Sequence, residues 1–197
     1  MENGGSYRVL VTNEADGFRL LNRETHEQIV TASEGHDAPI SDLHPGYCID
    51  ADLDWTSTEP SIWSFSIQQP TLYSFVDHID PVFEAAQQAW QNAQLTGDSM
   101  NSQVTRNTDN EVNGVLYVFA EDGRDGMFES FRDGSRPLDP LVDKVNEQEG
   151  DDPREVFVLR PESGAFVIVI IALEKGGQFA DTLRETYDCP RPIESLA

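Results

Sequence analysis

The chain has 197 residues, with 36 acidic side chains against 13 basic ones and a formal net charge of −23. That balance argues against nonspecific nucleic-acid binding, which depends on Lys and Arg contacts that release phosphate counterions. Cys48 and Cys189 are too few for a disulfide scaffold, and the longest apolar run, Ala165 to Leu173, is too short for a membrane-spanning helix.

Residues 1–78 read as short strands: Tyr7 to Val11, Phe18 to Leu21, Glu27 to Thr31, Tyr47 to Trp55, Trp63 to Ile67 and Leu72 to Val76. The clearest is Tyr47 to Trp55. There Tyr47, Ile49, Ala51, Leu53 and Trp55 alternate with Cys48, Asp50, Asp52 and Asp54, which gives one apolar and one acidic face. Six short strands separated by turn residues predict a small antiparallel β-barrel-like domain over 1–78, with an OB-like barrel as one candidate.

Residues 79–197 predict an α+β domain. Asp80-Pro81 reads as a helix start, and Phe83, Ala86, Ala89, Trp90 and Ala93 form one apolar face that ends at Gly97. A polar segment, Asp98 to Asn113, follows, with Asn113-Gly114 as a turn signal. Val115 to Ala120 reads as a strand, and Met127 to Arg132 and Asp139 to Gln148 as helices. Val156 to Leu159 and Phe166 to Leu173 read as strands, and Phe179 to Tyr187 as a last helix. The expected packing is an antiparallel sheet with helices on one face. The near-continuous apolar run at 166–173 suits a strand buried on both faces. Two strand–strand–helix units raise the question of an internal duplication.

The acidity is not a tail. Residues 1–78 hold 13 acids and 3 bases, and the remainder holds 23 acids and 10 bases. Such a charge repels itself in dilute buffer but is screened in molar salt, where the Debye length falls to about 3 Å. An acid-coated protein of a salt-rich cytoplasm is therefore expected. The first residues lack the apolar stretch of a signal peptide, which agrees with a cytoplasmic location.

The segments Pro45-Gly46-Tyr47 through Trp55, Asp98 to Ser102, Asn113 to Tyr117, Arg154 to Pro161 and Thr186 to Pro192 carry a resemblance. Over essentially the whole chain the sequence resembles an uncharacterised family of halophilic archaeal proteins. The resemblance implies the saline environment. It brings no activity, cofactor or catalytic residue.

Candidate chemistry is sparse. Asp50, Asp52 and Asp54 share a strand face with carboxylates about 7 Å apart, close enough to flank Mg²⁺ or Ca²⁺. One strand rarely supplies enough converging ligands, so they read as a solvated face. Within 98–113, Asp98, Ser99, Asn101, Ser102, Arg106 and Asn113 could hydrogen-bond a small polar ligand, with Arg106 gripping a carboxylate or phosphate. The competing reading is a connection that uses Ser and Asn for caps and turns. Cys189 lacks a nearby base and reads as a structural thiol, as does Cys48 beside His44. His26, His36, His44 and His78 show no metal or catalytic spacing. Gly176-Gly177 reads as a turn, and Trp63 and Phe65 as core.

The sequence thus predicts a non-enzymatic cytoplasmic binding or interaction protein adapted to high salt. It points to a small polar ligand or a protein partner, with no membrane, cofactor, metal or catalytic residue. One alternative is an enzyme acting on a small polar metabolite through 98–113, with Asp98, Ser102 and Arg106 as participants. A second is a nucleic-acid-binding accessory protein, suggested by the barrel.

Overall fold

The computed structural model describes residues 4–11, 18–121 and 126–195. The fold is α+β, with two five-stranded sheets and four helices among those residues. Two compact units divide the chain: Met1–Leu72 together with Pro192–Ala197, and Tyr73–Arg191.

In the first unit the sheet runs β3-β2-β1-β4-β5 and every pairing is antiparallel. Its strands are β1 (Gly4–Leu10), β2 (Arg19–Asn22), β3 (Gln28–Val30), β4 (Cys48–Asp54) and β5 (Ser61–Gln69). Alternation in β4 behaves as its pattern predicts: Ile49, Ala51 and Leu53 are buried, and Asp50 and Asp52 are exposed. With Val9, Leu20, Tyr47 and Ile62 they build one core.

One expectation for this half is left open and two are corrected. First, no ladder between β3 and β5 closes a barrel among the described residues; the order is open. The 32–38 segment instead lies along the start of β5, donating from Ala32 N–H to Pro60 O and from Asp37 and Ala38 N–H to Ile62 O. Second, Trp63 is not core. Leu53 faces Ile62 while Asp52 faces Ser64, so Trp63 is the extra residue of a β-bulge and stands 60 % exposed. Trp55, beyond the end of β4, is also exposed.

Third, the sixth strand, β6 (Leu72–Ile79), belongs to the other sheet. It is apolar on both faces: Tyr73 and Phe75 join one core of that sheet, Val76 and Ile79 the other. A strand of that kind needs cover on both sides, which the Ser- and Asp-rich outer face of the first sheet does not provide.

The second sheet runs β6-β9-β10-β8-β7, with β7 (Met100–Arg106), β8 (Val112–Ala120), β9 (Glu155–Pro161) and β10 (Phe166–Ala172). Every residue of β10 is buried. Its even-numbered side chains Phe166, Ile168 and Ile170 pack with α1 (Glu84–Thr96) and α4 (Gln178–Thr186). Its odd-numbered Val167, Val169 and Ile171 pack with α2 (Met127–Asp133) and α3 (Asp139–Glu149). Helices therefore cover both faces, not one. A central strand apolar at both parities leaves no alternative, since either bare face would expose a row of Val and Ile. The two hairpins are also not a symmetric duplication. A two-fold relating antiparallel β8 and β10 would keep α2 and α4 on one face, and they lie on opposite faces.

Helix α1 starts at Glu84, with Phe83 as its N-cap, three residues beyond the expected start; Asp80-Pro81 is a cis peptide ahead of it. Its end falls where expected. Gly97 adopts φ 75° and donates to Ala93 O and Gln94 O. Trp90 stacks on Phe166 with ring centroids 4.9 Å apart.

Candidate functional site

The polar segment 98–113 is mostly strand. β7 pairs with β8 from Met100↔Phe119 to Arg106↔Val112. The turn falls at residues 107–111, where Asn107 Oδ1 accepts from Asp109 N–H and Glu111 N–H. Asn110 takes φ 65° there, a conformation Asn tolerates. Asn113-Gly114 is not the turn but lies inside β8. Gly114 is needed for close approach: a Cβ would stand 2.7 Å from Phe179 Cε1 and 3.0 Å from Ile171 O.

The candidate residues therefore separate along one edge strand. Asp98 is exposed and accepts from Thr96 Oγ1 at 2.6 Å. Ser99 precedes the strand, its carbonyl bonded to Ala120 N–H. Asn101 turns toward α1, donating to Ala89 O at 3.1 Å, while its Oδ1 accepts from Ser102 N–H. Ser102 is exposed. Only Arg106 and Asn113 meet in a cleft.

That cleft, about 670 Å³, lies between the β7–β8 turn and the start of α4. Arg106, Asn107, Thr108 and Glu111 form one wall, and Glu174, Gly177, Gln178 and Thr182 the other. Val112, Leu173 and Phe179 add an apolar lining. The size suits a small molecule. Arg106 is exposed and spends one bond on Asn110 O at 2.8 Å, which leaves further guanidinium N–H groups for a ligand. Asn113 accepts from Thr105 Oγ1 at 2.8 Å and, through its carbonyl, from Leu173 N–H at 3.0 Å. The Gly176-Gly177 turn noted in the sequence forms part of this wall.

A buried ionic hub that sequence reading missed holds that wall. Glu155, at the start of β9, is fully buried. Its Oε2 accepts from Arg184 Nε at 2.6 Å, and its Oε1 from Arg191 Nε and Gly176 N–H, both at 2.8 Å. Arg191 also reaches Asp181 at 2.6 Å. Arg184 donates to Cys189 O and lies 5.1 Å over the Phe157 ring. The hub thus joins β9, the turn before α4, α4 itself and the segment after it. Glu155 stands 29 and 36 residues from its arginines. The sequence signal was an acid directly before the apolar run Val156 to Leu159. Cys189 sits beside the hub, and burial pushes its thiol above the usual value although Arg184 opposes the shift. This is the reverse of what a nucleophilic thiolate requires.

Two further hollows are shallower in chemistry. One, about 560 Å³, lies on the outer face of the first sheet over Gly4, Ser6, Asp50, Asp52, Ser64 and Ser66. Asp54 is turned to capping Thr56, at 3.0 Å from its N–H. The other, about 250 Å³, borders Asp77, His78, Glu121 and Arg160. Arg160 grips Asp77 through two nitrogens, and that contact holds the Asp77 carboxyl below its ordinary value. Among the described residues no group of three or more His, Cys, Asp or Glu is placed to hold a metal ion, and no helix is long and apolar enough to cross a membrane.

With cleft and hub in place, the comparisons give a class without an activity. A family model, DUF6663, matches residues 1–192, and the chain belongs to this family of unknown function. No curated protein and no solved structure matches the chain.

Proposed function

We propose that this is a binding protein for a small polar ligand, working in concentrated salt, with the hairpin–α4 cleft as its site. The carrying observation is the convergence of Arg106 and Asn113 with Glu111, Glu174, Gln178 and Thr182 around one preformed hollow. A guanidinium that shares the cleft with two carboxylates, Glu111 on its own wall and Glu174 on the other, favours a molecule that carries an anionic group together with an ammonium or hydroxyl group. The cleft offers no nucleophile paired with a base, which favours binding over the enzymatic alternative.

The saline reading rests on where charge lies. Asp139 and Glu155 are the only buried acids among the described residues, whereas Arg8, Arg154 and Arg184 are buried cations. Exposed acids such as Glu24, Asp50, Glu59, Glu84, Asp98 and Asp188 occur in both units, which supports a general coat over a single local acidic patch. That distribution also disfavours a nucleic-acid-binding role. The barrel-like reading of the first half retains one support, the 32–38 segment bonded along β5.

The test is thermal-shift titration in about 2 M KCl, with inorganic phosphate, succinate and free amino acids as probes, on the wild type and Arg106→Gln. A saturable upward shift that the variant loses supports the proposal. No shift with any probe, or an equal shift in both proteins, refutes it.

A further inference from the structure

We propose that two copies of this chain pair edge to edge through β7, antiparallel, about a two-fold axis at Ser102. The edge is open. Ala120 N–H bonds Ser99 O, and bonded pairs alternate along an antiparallel ladder. Asn101 and Gln103 therefore bond β8, while Met100, Ser102 and Val104 turn their backbone N–H and C=O groups outward.

None of these three exposed side chains is charged, as those of a solvated edge would be, and two of them are apolar. Met100 is 46 % and Val104 48 % exposed. They stand opposite Phe119 and Val115, on the face that α2 and α3 cover only as far as β8. Protective devices found on the first sheet are missing here. There β3 has three residues, and β5 carries two register shifts and the 32–38 segment on its flank. β7 has seven residues, no proline, no lysine and no acid.

Charge selects the occupant. A chain of net charge −23 resists meeting itself over most of its surface, yet residues 99–108 contain no acid. Outward residues must oppose outward residues, and the axis at Ser102 satisfies this while matching chemistry at each step. Ser102 faces the partner's Ser102, Met100 faces the partner's Val104, and Arg106 faces the partner's Asp98. The register joins apolar to apolar and cation to anion. It also places the partner's Asp98 beside Arg106 at the rim of the cleft. Docking exchanges the bond from Ser102 N–H to Asn101 Oδ1 for a bond between chains.

Sedimentation velocity and cysteine cross-linking on the full chain decide the matter. The wild type is expected to sediment as a dimer at about 100 µM in about 2 M KCl and to dissociate progressively as salt is lowered. Val104→Lys, at an exposed position, should weaken the dimer about tenfold or more while preserving the circular dichroism spectrum. Ser102→Cys should form an inter-chain disulfide, because bonded antiparallel pairs hold their Cα atoms about 5.5 Å apart. Ser66→Cys, also at an exposed position but on the first sheet, should not. A monomeric wild type at every salt concentration overturns the proposal. So does a dimer indifferent to Val104→Lys, or cross-linking no faster at Ser102 than at Ser66. None of these outcomes depends on ligand binding in the cleft.

Discussion

Replacing Glu155 by Gln strikes the hub from its centre. The carboxylate is fully buried and accepts from Arg184, Arg191 and the Gly176 N–H. Gln keeps the shape and one acceptor oxygen but turns an N–H₂ toward a guanidinium. Arg191 retains Asp181 and partial access to water. Arg184, only 6 % exposed, retains the Cys189 carbonyl and the face of Phe157 but loses its counter-ion. Stranding a buried charge costs about 3–5 kcal/mol. For a chain of this length each kcal/mol moves the melting temperature by about 2–4 °C, so a fall of about 6–20 °C is expected. Thermal unfolding in molar KCl followed by circular dichroism reads the shift, and hydrogen exchange at 174–178 should quicken as Gly176 N–H loses its acceptor. Adding Arg184→Met to Glu155→Leu should recover much of the loss, because the buried charge of Arg184 is removed along with its counter-ion while Arg191 keeps Asp181. A Gln variant that melts within about 2 °C of the wild type, or a double variant no better than Glu155→Leu, would refute the claim that unpaired charge sets the cost.

Gly114→Ala forces a methyl against Phe179 and the Ile171 carbonyl; a loss of about 1–3 kcal/mol in urea denaturation is expected, and a neutral result would show that the β8–α4 contact is loose. The Asp77 carboxyl is held below its ordinary 3.8 by Arg160, so its stabilising contribution is present above that value and disappears as pH falls through the lowered one. Asp77→Asn should therefore flatten the acid limb of the stability curve below about pH 4, and an unchanged limb would mean the pair is not coupled to folding. Melting temperature should rise from about 0.1 to 2 M KCl as self-repulsion is screened; a flat profile would remove the saline reading.

Much of the fold was legible because burial writes a period into the chain. Alternation marked β4, three-to-four spacing marked α1, and an uninterrupted apolar run marked β10 as doubly covered. That last signal already contradicted helices on one face, since a strand apolar at both parities needs two layers. β7 escaped because an edge strand with one open face has polar residues at both parities, and Ser and Asn read equally well as turns. Trp63 escaped because a single inserted residue reverses the face of an alternating strand.

For the site, Arg106 and the Gly176-Gly177 turn were each visible, but their sharing of one cleft was not. The sequence alone determined the charge, most element types and most of the residues that had to be buried, all of which depend on local composition and spacing. Tertiary structure decided which strands share a sheet, that Glu155 gathers Arg184 and Arg191, and that the hairpin tip faces α4. Those pairings join residues tens of positions apart, and side-chain period carries no information about distant partners. Only the mutual fit of complete faces and the need to neutralise buried charge select them.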